Sequence, residues 1–304
     1  MSETRRGFWY GFGAYFLWGI FPLYFPLLEP TGALEVLAHR IVWSLVFVGV
    51  LLLMGRGWSR LRAVVADRRR LRLVAVGSVL IAVNWGVFIW AVLNGHVLES
   101  SLGYFINPLV LIFLGVVVLG ERLRRSQWLA IALATVAVVV LTVDYGRPPW
   151  VALTLAFSFG TYGLMKKKAD IGAVEGLGLE TLMLAPVALA YIGWVQVDGG
   201  AVFGHEGAGN MLLLAGAGVI TAVPLLLFGG AATRVPMSTL GLLQYIAPTM
   251  HFVLGLVIFD EAMSTARWVG FVLVWVALVM LTTESLVSRR RLVPGRVRAE
   301  PATP

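Results

Sequence analysis

A few polar side chains lie within long apolar stretches of the 304-residue sequence. A charged group in such a stretch needs a polar partner or has a functional role. Arg40 and Glu180 are ionisable residues of this kind, and in a nonpolar environment such groups are functional candidates by default. We therefore predict that both are gating or coupling residues. In the structural alternative, Arg40 extends outward to a polar surface, and neighbouring hydroxyls such as that of Thr181 satisfy Glu180.

Two prolines lie at matching places in similar stretches: Pro108 and the glycine, glutamate and tryptophan that follow it recur with the same spacing from Pro248. A proline has no N–H, so it frees the carbonyl group four residues before it, at Tyr104 in the first stretch and at Gln244 in the second. A freed carbonyl in an apolar environment needs a polar partner. We predict a polar site at these two breaks, with the prolines as gating residues, and a packing kink is the alternative.

Further polar and aromatic side chains lie at helical spacing near these breaks. Asn84 lies at the centre of an apolar run, where an amide needs a partner. Aromatic residues at helical spacing are more often core or lipid-facing, and this alternative stays open for Tyr15, Trp18 and Tyr162. The predicted substrate-binding residues are Tyr15, Trp18, Asn84, Tyr104, Asn107, Tyr162, Gln244, Tyr245 and His251.

Residue patterns for enzymatic chemistry are missing from the sequence. No phosphate-binding G-x-x-x-x-G-K-[S/T] motif occurs, the four histidines are scattered without metal-ligand spacing, and there is no cysteine. A cysteine nucleophile and a thiolate metal site are therefore excluded. We expect no catalytic residue, no metal and no cofactor.

The elements that position these residues follow from composition. Hydrophobic residues make up 59% of the chain and charged residues 13%, whereas soluble domains have about 45–50% and about 25%. The apolar runs are about 20 residues long, enough for a helix to cross a membrane. We predict an all-α integral membrane protein with ten spans, at residues 8–28, 34–54, 72–93, 98–119, 127–144, 149–165, 175–196, 210–232, 237–259 and 267–286.

The basic residues indicate the orientation of these spans. Most of the 24 lysines and arginines fall in alternate loops and at the two ends of the chain. Loops of this kind stay in the cytoplasm, so we predict a multi-pass protein of the bacterial inner membrane with cytoplasmic N and C termini. The net charge of +8 is then explained by the membrane surface, and no nucleic acid partner is expected.

Glu121 and Glu261 are matched residues that lie at span ends. Each precedes the next predicted span, whose positive N-terminal dipole a carboxylate would stabilise, with Ser126 or Ser264 as the capping residue. We therefore expect both glutamates to have structural roles.

The matched residues extend through the whole chain and indicate an internal duplication. Residues of the first five spans have counterparts in the last five: Gly19 and Gly160, His39 and Glu180, Asn84 and Pro224, Pro108 and Pro248. Because five is odd, the second copy enters the bilayer from the opposite side, which is a common architecture of secondary transporters. We predict two inverted five-helix repeats, at residues 1–146 and 147–287, followed by a disordered basic cytoplasmic tail at 288–304.

The sequence also resembles a known family. It is similar to the RarD-type permeases of the EamA family, within the drug/metabolite transporter superfamily, and the similarity covers nearly all ten predicted spans. The stretches that carry it are AYFLWGIFPLYF (14–25), HRIVWS (39–44), NWGVFIWAV (84–92), ESSLGYFINPLV (99–110), GER (120–122), AFSFGTYGLMKKK (156–168) and TLGLLQYIAPT (239–249). The resemblance implies a ten-helix basket in which spans one, three, four, six, eight and nine line a cavity for a small organic molecule.

These inferences together predict a secondary transporter that moves a metabolite or drug across the plasma membrane by alternating access. An exporter that is proton-coupled or facilitative is favoured, and a membrane-embedded enzyme or a non-transporting receptor or scaffold is the alternative. The expected partners are a small-molecule substrate and the lipid bilayer, with protons as one coupling option. We expect a monomer or a weak homodimer.

Overall fold

The structure is a computed structural model that describes residues 2–55, 58–119 and 124–292. Within these ranges the regular secondary structure is helical. The helices are α1 (Glu3–Gly19), α2 (Phe21–Tyr24), a 3₁₀ helix (Phe25–Leu28), α3 (Ala33–Met54), α4 (Trp58–Ala66), α5 (Arg68–Leu93), α6 (Val97–Leu119), α7 (Arg125–Tyr145), α8 (Trp150–Ala169), α9 (Ala173–Asp198), α10 (Gly207–Ala232), α11 (Met237–Leu243), α12 (Ile246–Val257) and α13 (Thr265–Leu292).

Among the described residues, eight helical segments are long and apolar enough to cross a membrane. The first predicted span becomes a ninth if α1 and the segment Phe21–Leu28, which meet at a bend of 43°, are counted together as one span. Prolines at the start of α2 and of the 3₁₀ helix account for this bend, since proline cannot continue a helical hydrogen-bond ladder. The predicted span at 149–165 coincides with α8, which is not among the eight.

Local signals account for several helix ends. Helix α5 begins after Asp67, whose carboxylate accepts hydrogen bonds from the backbone N–H groups of Arg69 and Arg70 at 2.8 and 3.1 Å. It ends before Gly95, which has a φ of 67° that glycine adopts without strain. The turn at Gly95 separates α5 from α6, as predicted. Helix α13 continues past residue 288, where the disordered tail was predicted to begin, and residues 293–304 lie outside the described part of the chain.

The helices pack in related pairs. Helix α1 lies against α10 and α12, and α8 lies against α5 and α6. Helices α3 and α9 pack together, as do α6 and α12, and α7 and α13. Two glycines at matching positions allow close packing: a Cβ atom on Gly19 would collide with Met250, and one on Gly160 would lie 3.0 Å from Cγ1 of Val110.

Candidate functional site

Asn84 of α5 joins three helices through its amide. Its Nδ2 donates to the carbonyl oxygen of Leu155 and to the hydroxyl of Ser158, both at 3.1 Å, and its Oδ1 accepts from the hydroxyl of Tyr104 at 3.1 Å. The side chain is 1% exposed. The predicted need for a partner is thus met within the protein, by groups of α6 and α8.

His251 of α12 connects the two halves of the chain. Its Nε2 lies 3.0 Å from the carbonyl oxygen of Trp18, and its ring stacks on Phe88 at a centroid distance of 5.1 Å. Tyr104 meets the same ring edge-on at 5.9 Å. His251 therefore brings together α1, α5 and α6, and links the Asn84 group to Trp18.

Tyr15 and Trp18 form an aromatic cluster with Phe228 of α10. The rings of Tyr15 and Trp18 lie 5.3 Å apart, and each lies about 6 Å from Phe228, at 6.0 and 5.9 Å. Tyr15 and Trp18 are partly exposed. The structure thus joins the two predicted aromatic residues of α1 to a residue of the second half that sequence analysis missed.

Arg40 is buried, with an exposed fraction of 4%. Its Nε donates to the hydroxyl of Thr221 at 2.6 Å, and its guanidinium lies 4.3 Å from the ring of Trp85 and 5.4 Å from that of Phe21. Its Nη1 is buried without a hydrogen-bond partner. The outward-extended alternative is therefore contradicted, since the side chain is enclosed by residues of α2, α5 and α10.

Glu180 lies 2% exposed in α9 and has two partners in α8. Lys166 Nζ lies 3.0 Å from one carboxylate oxygen, and the hydroxyl of Tyr162 donates to the other at 3.1 Å. Thr181, the partner proposed from sequence, donates instead to carbonyl oxygens of its own helix. Tyr162 thus contacts Glu180, and its ring lies 6.0 Å from that of Phe159, which in turn lies 6.0 Å from the ring of Tyr104.

The two prolines differ in structure. Helix α6 continues through Pro108, whereas the chain is interrupted between α11 and α12, at Gln244 and Tyr245. Pro248 then lies in the first turn of α12, where backbone N–H groups have no intrahelical acceptor and a missing one costs little. The prediction of two equivalent breaks is corrected to a single interruption, in the second half.

Two of the predicted polar residues near these prolines have different surroundings. Asn107 is 6% exposed and its Oδ1 has no hydrogen-bond partner, so its amide has an unused acceptor near Gly160. Tyr245 lies in an apolar groove between α12 and α13, lined by Phe105 and Trp275 among others. Tyr245 therefore faces this groove and is not among the residues that contact His251, and its role in substrate binding stays a prediction.

Three glutamates that close one end of the bundle bind backbone or basic groups across helices. Glu35 accepts from the N–H groups of Val202 and Phe203. Glu99 forms an ion pair with Arg147 at 3.0 Å. Sequence analysis missed both glutamates, although their places in the first turns of α3 and α6 were a usable signal.

Glu261 is the third of these glutamates, and it binds the start of α6 instead of the start of α13. Its carboxylate accepts from the N–H groups of Val97 and Leu98, the latter at 3.1 Å, at the start of α6. The expected role at the start of α13 is corrected, and Ser264 serves there by accepting from the N–H of Arg267 at 3.1 Å. Burial raises the pKa of Glu261 to about 7, against the lowering effect of the two N–H groups and Arg267.

Two further predictions from the sequence, for Glu121 and Ser126, concern the other end of the helix bundle, at the start of α7. Glu121 lies outside the described residues. Ser126, expected to cap α7, donates instead to Glu284, and the N-cap residue of α7 is Arg124. The backbone N–H of Arg124 is bound by the side chain of Gln127 at 2.9 Å, so α7 begins with a different capping residue from the predicted one.

All three closing glutamates contact the end of the bundle that contains the loops at 94–96, 146–149, 199–206 and 258–264. We call this the outer-loop end, because the charge distribution predicts that it faces outward. Helices α6 and α12 also meet there, where Cβ on Gly255 would lie 2.8 Å from the side chain of Leu98. The two halves thus pack closely against each other at the outer-loop end.

Comparisons with known proteins agree with this architecture. The profile of the EamA-like transporter family matches the chain twice, at residues 5–143 and 148–283. Protein RarD of Streptomyces exfoliatus is 55% identical over 100% of this chain and 95% of its own length, and Protein RarD of Escherichia coli (strain K12) is 45% identical over 95% and 98%. A crystal structure with 19% identity covers 93% of this chain and 99% of its own at a TM-score of 0.60, which shows a shared fold. The chain therefore belongs to the EamA-like transporter family and is similar throughout to its RarD members.

Proposed function

We propose that the protein is a secondary transporter that moves a small organic solute across the bacterial plasma membrane by alternating access. Its two halves, residues 1–146 and 147–287, would be inverted five-helix repeats. The double match of the family profile and the related packing of α1 and α8 support this proposal. Transporters built from inverted repeats bind their substrates near the bilayer midplane, between the repeats.

The observation that carries the proposal is the meeting of both halves at His251. Here a ring of the second half contacts Trp18, Phe88 and Tyr104 of the first half, and Tyr104 is held by Asn84. An apolar aromatic surface with a few fixed polar groups is typical of small-molecule sites. We propose that Tyr15 and Trp18 extend this surface on one side, and that Asn107 offers its free acceptor on another.

Opening of the outer-loop end would complete the transport cycle. The contacts of Glu35 and Glu261 and the packing of Gly255 against Leu98 must separate for a solute to leave in that direction. In this proposal the described state is the one closed to the outside. Proton coupling through Glu180 and facilitated diffusion are both compatible with the cycle.

A matched pair of tyrosine variants tests the site. Tyr104→Phe removes the hydroxyl that binds Asn84, whereas Tyr10→Phe makes the same chemical change near the exposed start of α1, where the hydroxyl accepts from Arg6 at 2.8 Å. We expect Tyr104→Phe to weaken solute binding, because the hydroxyl that positions the Asn84 amide is lost, and Tyr10→Phe to leave binding unchanged. The measurements are flux from a metabolite extract into proteoliposomes and binding of the transported solute.

A second pair of variants tests whether Asn107 and Gln244 contact the same solute. Asn107→Ala and Gln244→Ala should each weaken binding, and the double variant should lose less than the sum of the two losses, because residues that share a ligand are coupled. Full binding in both single variants, or strictly additive losses, would place the site elsewhere. Absence of flux of any solute with the unmodified protein would overturn the transport proposal itself.

A further inference from the structure

We propose that Arg40 binds an anionic group of the transported solute, and that the substrates are organic anions with a carboxylate. This inference rests on the proposed transport function and names the chemical class of its substrate.

Arg40 differs from four other basic residues of the protein, which form ion pairs with carboxylates. Arg147, Lys166, Arg234 and Arg267 each lie within 3.0 Å of a carboxylate oxygen. No carboxylate of the described residues lies within ion-pair distance of Arg40, although Arg40 is buried and those four are partly exposed. A buried cation without a counter-ion is costly, and an anion that binds during the cycle would offset this cost.

The neighbours of Arg40 orient the guanidinium without neutralising it. Thr221 accepts from Nε, and Trp85 and Phe21 present their rings to the cation. Aromatic faces stabilise a cation only partly. Nη1 keeps an unused N–H donor, and a carboxylate accepts from arginine through strong charge-assisted hydrogen bonds.

The position of Arg40 connects it to the proposed site. The ring of Phe21, which faces the guanidinium, lies 6.1 Å from Phe25, and Phe25 lies 5.9 Å from Phe88, the residue that stacks on His251. Thr221 belongs to the second half of the chain, whereas Arg40, Trp85 and Phe21 belong to the first. An anion bound at Nη1 would thus be located where the two halves meet, beside the aromatic surface around His251.

The test compares solutes that differ only in charge. Purified protein in detergent is titrated with carboxylates and their primary amides, such as benzoate and benzamide, or 3-phenylpropionate and its amide, and binding is read from the thermal unfolding midpoint. Sodium chloride and inorganic phosphate are included as simple anions. We expect at least one carboxylate to bind at least tenfold more tightly than its amide, and more tightly than either simple anion.

Two variants separate the charge of Arg40 from its hydrogen bond. Arg40→Gln should abolish the preference for the carboxylate, whereas Thr221→Val, which removes the acceptor of Nε but keeps the cation, should retain it. If Arg40→Gln does not yield folded protein, Arg40→Lys takes its place and should reduce the preference at least threefold, because lysine lacks the planar fork of arginine.

Each other outcome overturns the proposal. A preference for the carboxylate that persists in folded Arg40→Gln protein would place the anion-binding site elsewhere. Equal stabilisation by chloride or phosphate would indicate an adventitious ion only. If no carboxylate binds, the substrates are not carboxylate anions. Flux into proteoliposomes is measured in parallel. Transport of neutral or cationic solutes that Arg40→Gln leaves unchanged would overturn this inference while leaving the transport function intact.

Discussion

The ion pair between Glu180 and Lys166 should respond unequally to the loss of its two members. The Glu180 side chain is 3% exposed and the Lys166 side chain 29%, with 3.0 Å between their charged atoms. Lys166→Met would leave a buried carboxylate that keeps the hydroxyl of Tyr162 as a hydrogen-bond donor. Glu180→Gln would leave an ammonium group that already reaches the polar surface.

The magnitudes follow from this difference in exposure. Removing one member of a buried ion pair costs about 3–5 kcal/mol when the remaining charge cannot reach water. An exposed charge that loses its partner costs about 0–1 kcal/mol. We therefore expect Lys166→Met to lower the free energy of unfolding by about 3–5 kcal/mol, and Glu180→Gln by about 1 kcal/mol. The double variant should lose less than Lys166→Met alone, because no buried charge remains.

The assay is reversible unfolding of the purified protein in mixed micelles at constant pH, for the wild type, both single variants and the double variant. Lys168→Met is the matched control, since Lys168 lies on the same helix and is exposed, and it should leave stability unchanged. Equal losses in the two single variants, or a double-variant loss equal to their sum, would refute the reasoning. Such results would mean that Glu180 is stabilised by groups other than Lys166.

Three further predictions concern coupling, pH and orientation. If Glu180 carries a coupling proton, Glu180→Gln should abolish the pH dependence of uphill flux into proteoliposomes and preserve exchange at equal solute concentrations. The raised pKa of Glu261, about 7 against 4.5, means that closure of the outer-loop end loses stability as the pH rises from about 4.5 to 7. The unfolding midpoint should therefore fall over this range more in the wild type than in Glu261→Gln. A cysteine at Gly200 should react with an impermeant reagent added to intact cells, and a cysteine at Asp170 should not.

Each of these predictions has an outcome that contradicts it. Unchanged proton-driven accumulation in Glu180→Gln would return that residue to a structural role. A midpoint that changes equally with pH in the wild type and in Glu261→Gln would assign the pH dependence to other groups. Labelling at residue 170 without labelling at residue 200 would reverse the predicted orientation.

Helix positions were largely predictable because they depend on local composition. An apolar run of about 20 residues specifies a helix wherever its neighbours lie. The separate helices on either side of Gly95 follow from the residues of that turn alone. The requirement for a partner at Asn84 was also predictable, because an amide in an apolar run needs one whatever the fold, although its identity was not.

Residue roles that depend on the facing helix were not predictable. Glu261 binds the start of α6, at Val97 and Leu98, rather than the helix that follows it in the chain. Tyr245 faces α13, and Tyr104 faces His251, although both are tyrosines near a proline. These differences arise from the rotation of each helix about its own axis, which neighbouring side chains determine through packing.

The sequence by itself determined the class of the protein, its apolar helices and its family, because length, composition and repeated motifs are properties of the chain alone. The tertiary structure decided that Glu180 has Lys166 as its counter-ion and that Arg40 has a hydroxyl, two aromatic rings and no carboxylate among the described residues. Both charges were visible in the sequence as equivalent candidates. The hydroxyl that binds Arg40 lies far along the chain, at Thr221, and the lysine that pairs with Glu180 lies in the preceding helix. In both cases only the packing of the helices determines which atoms come within hydrogen-bonding distance.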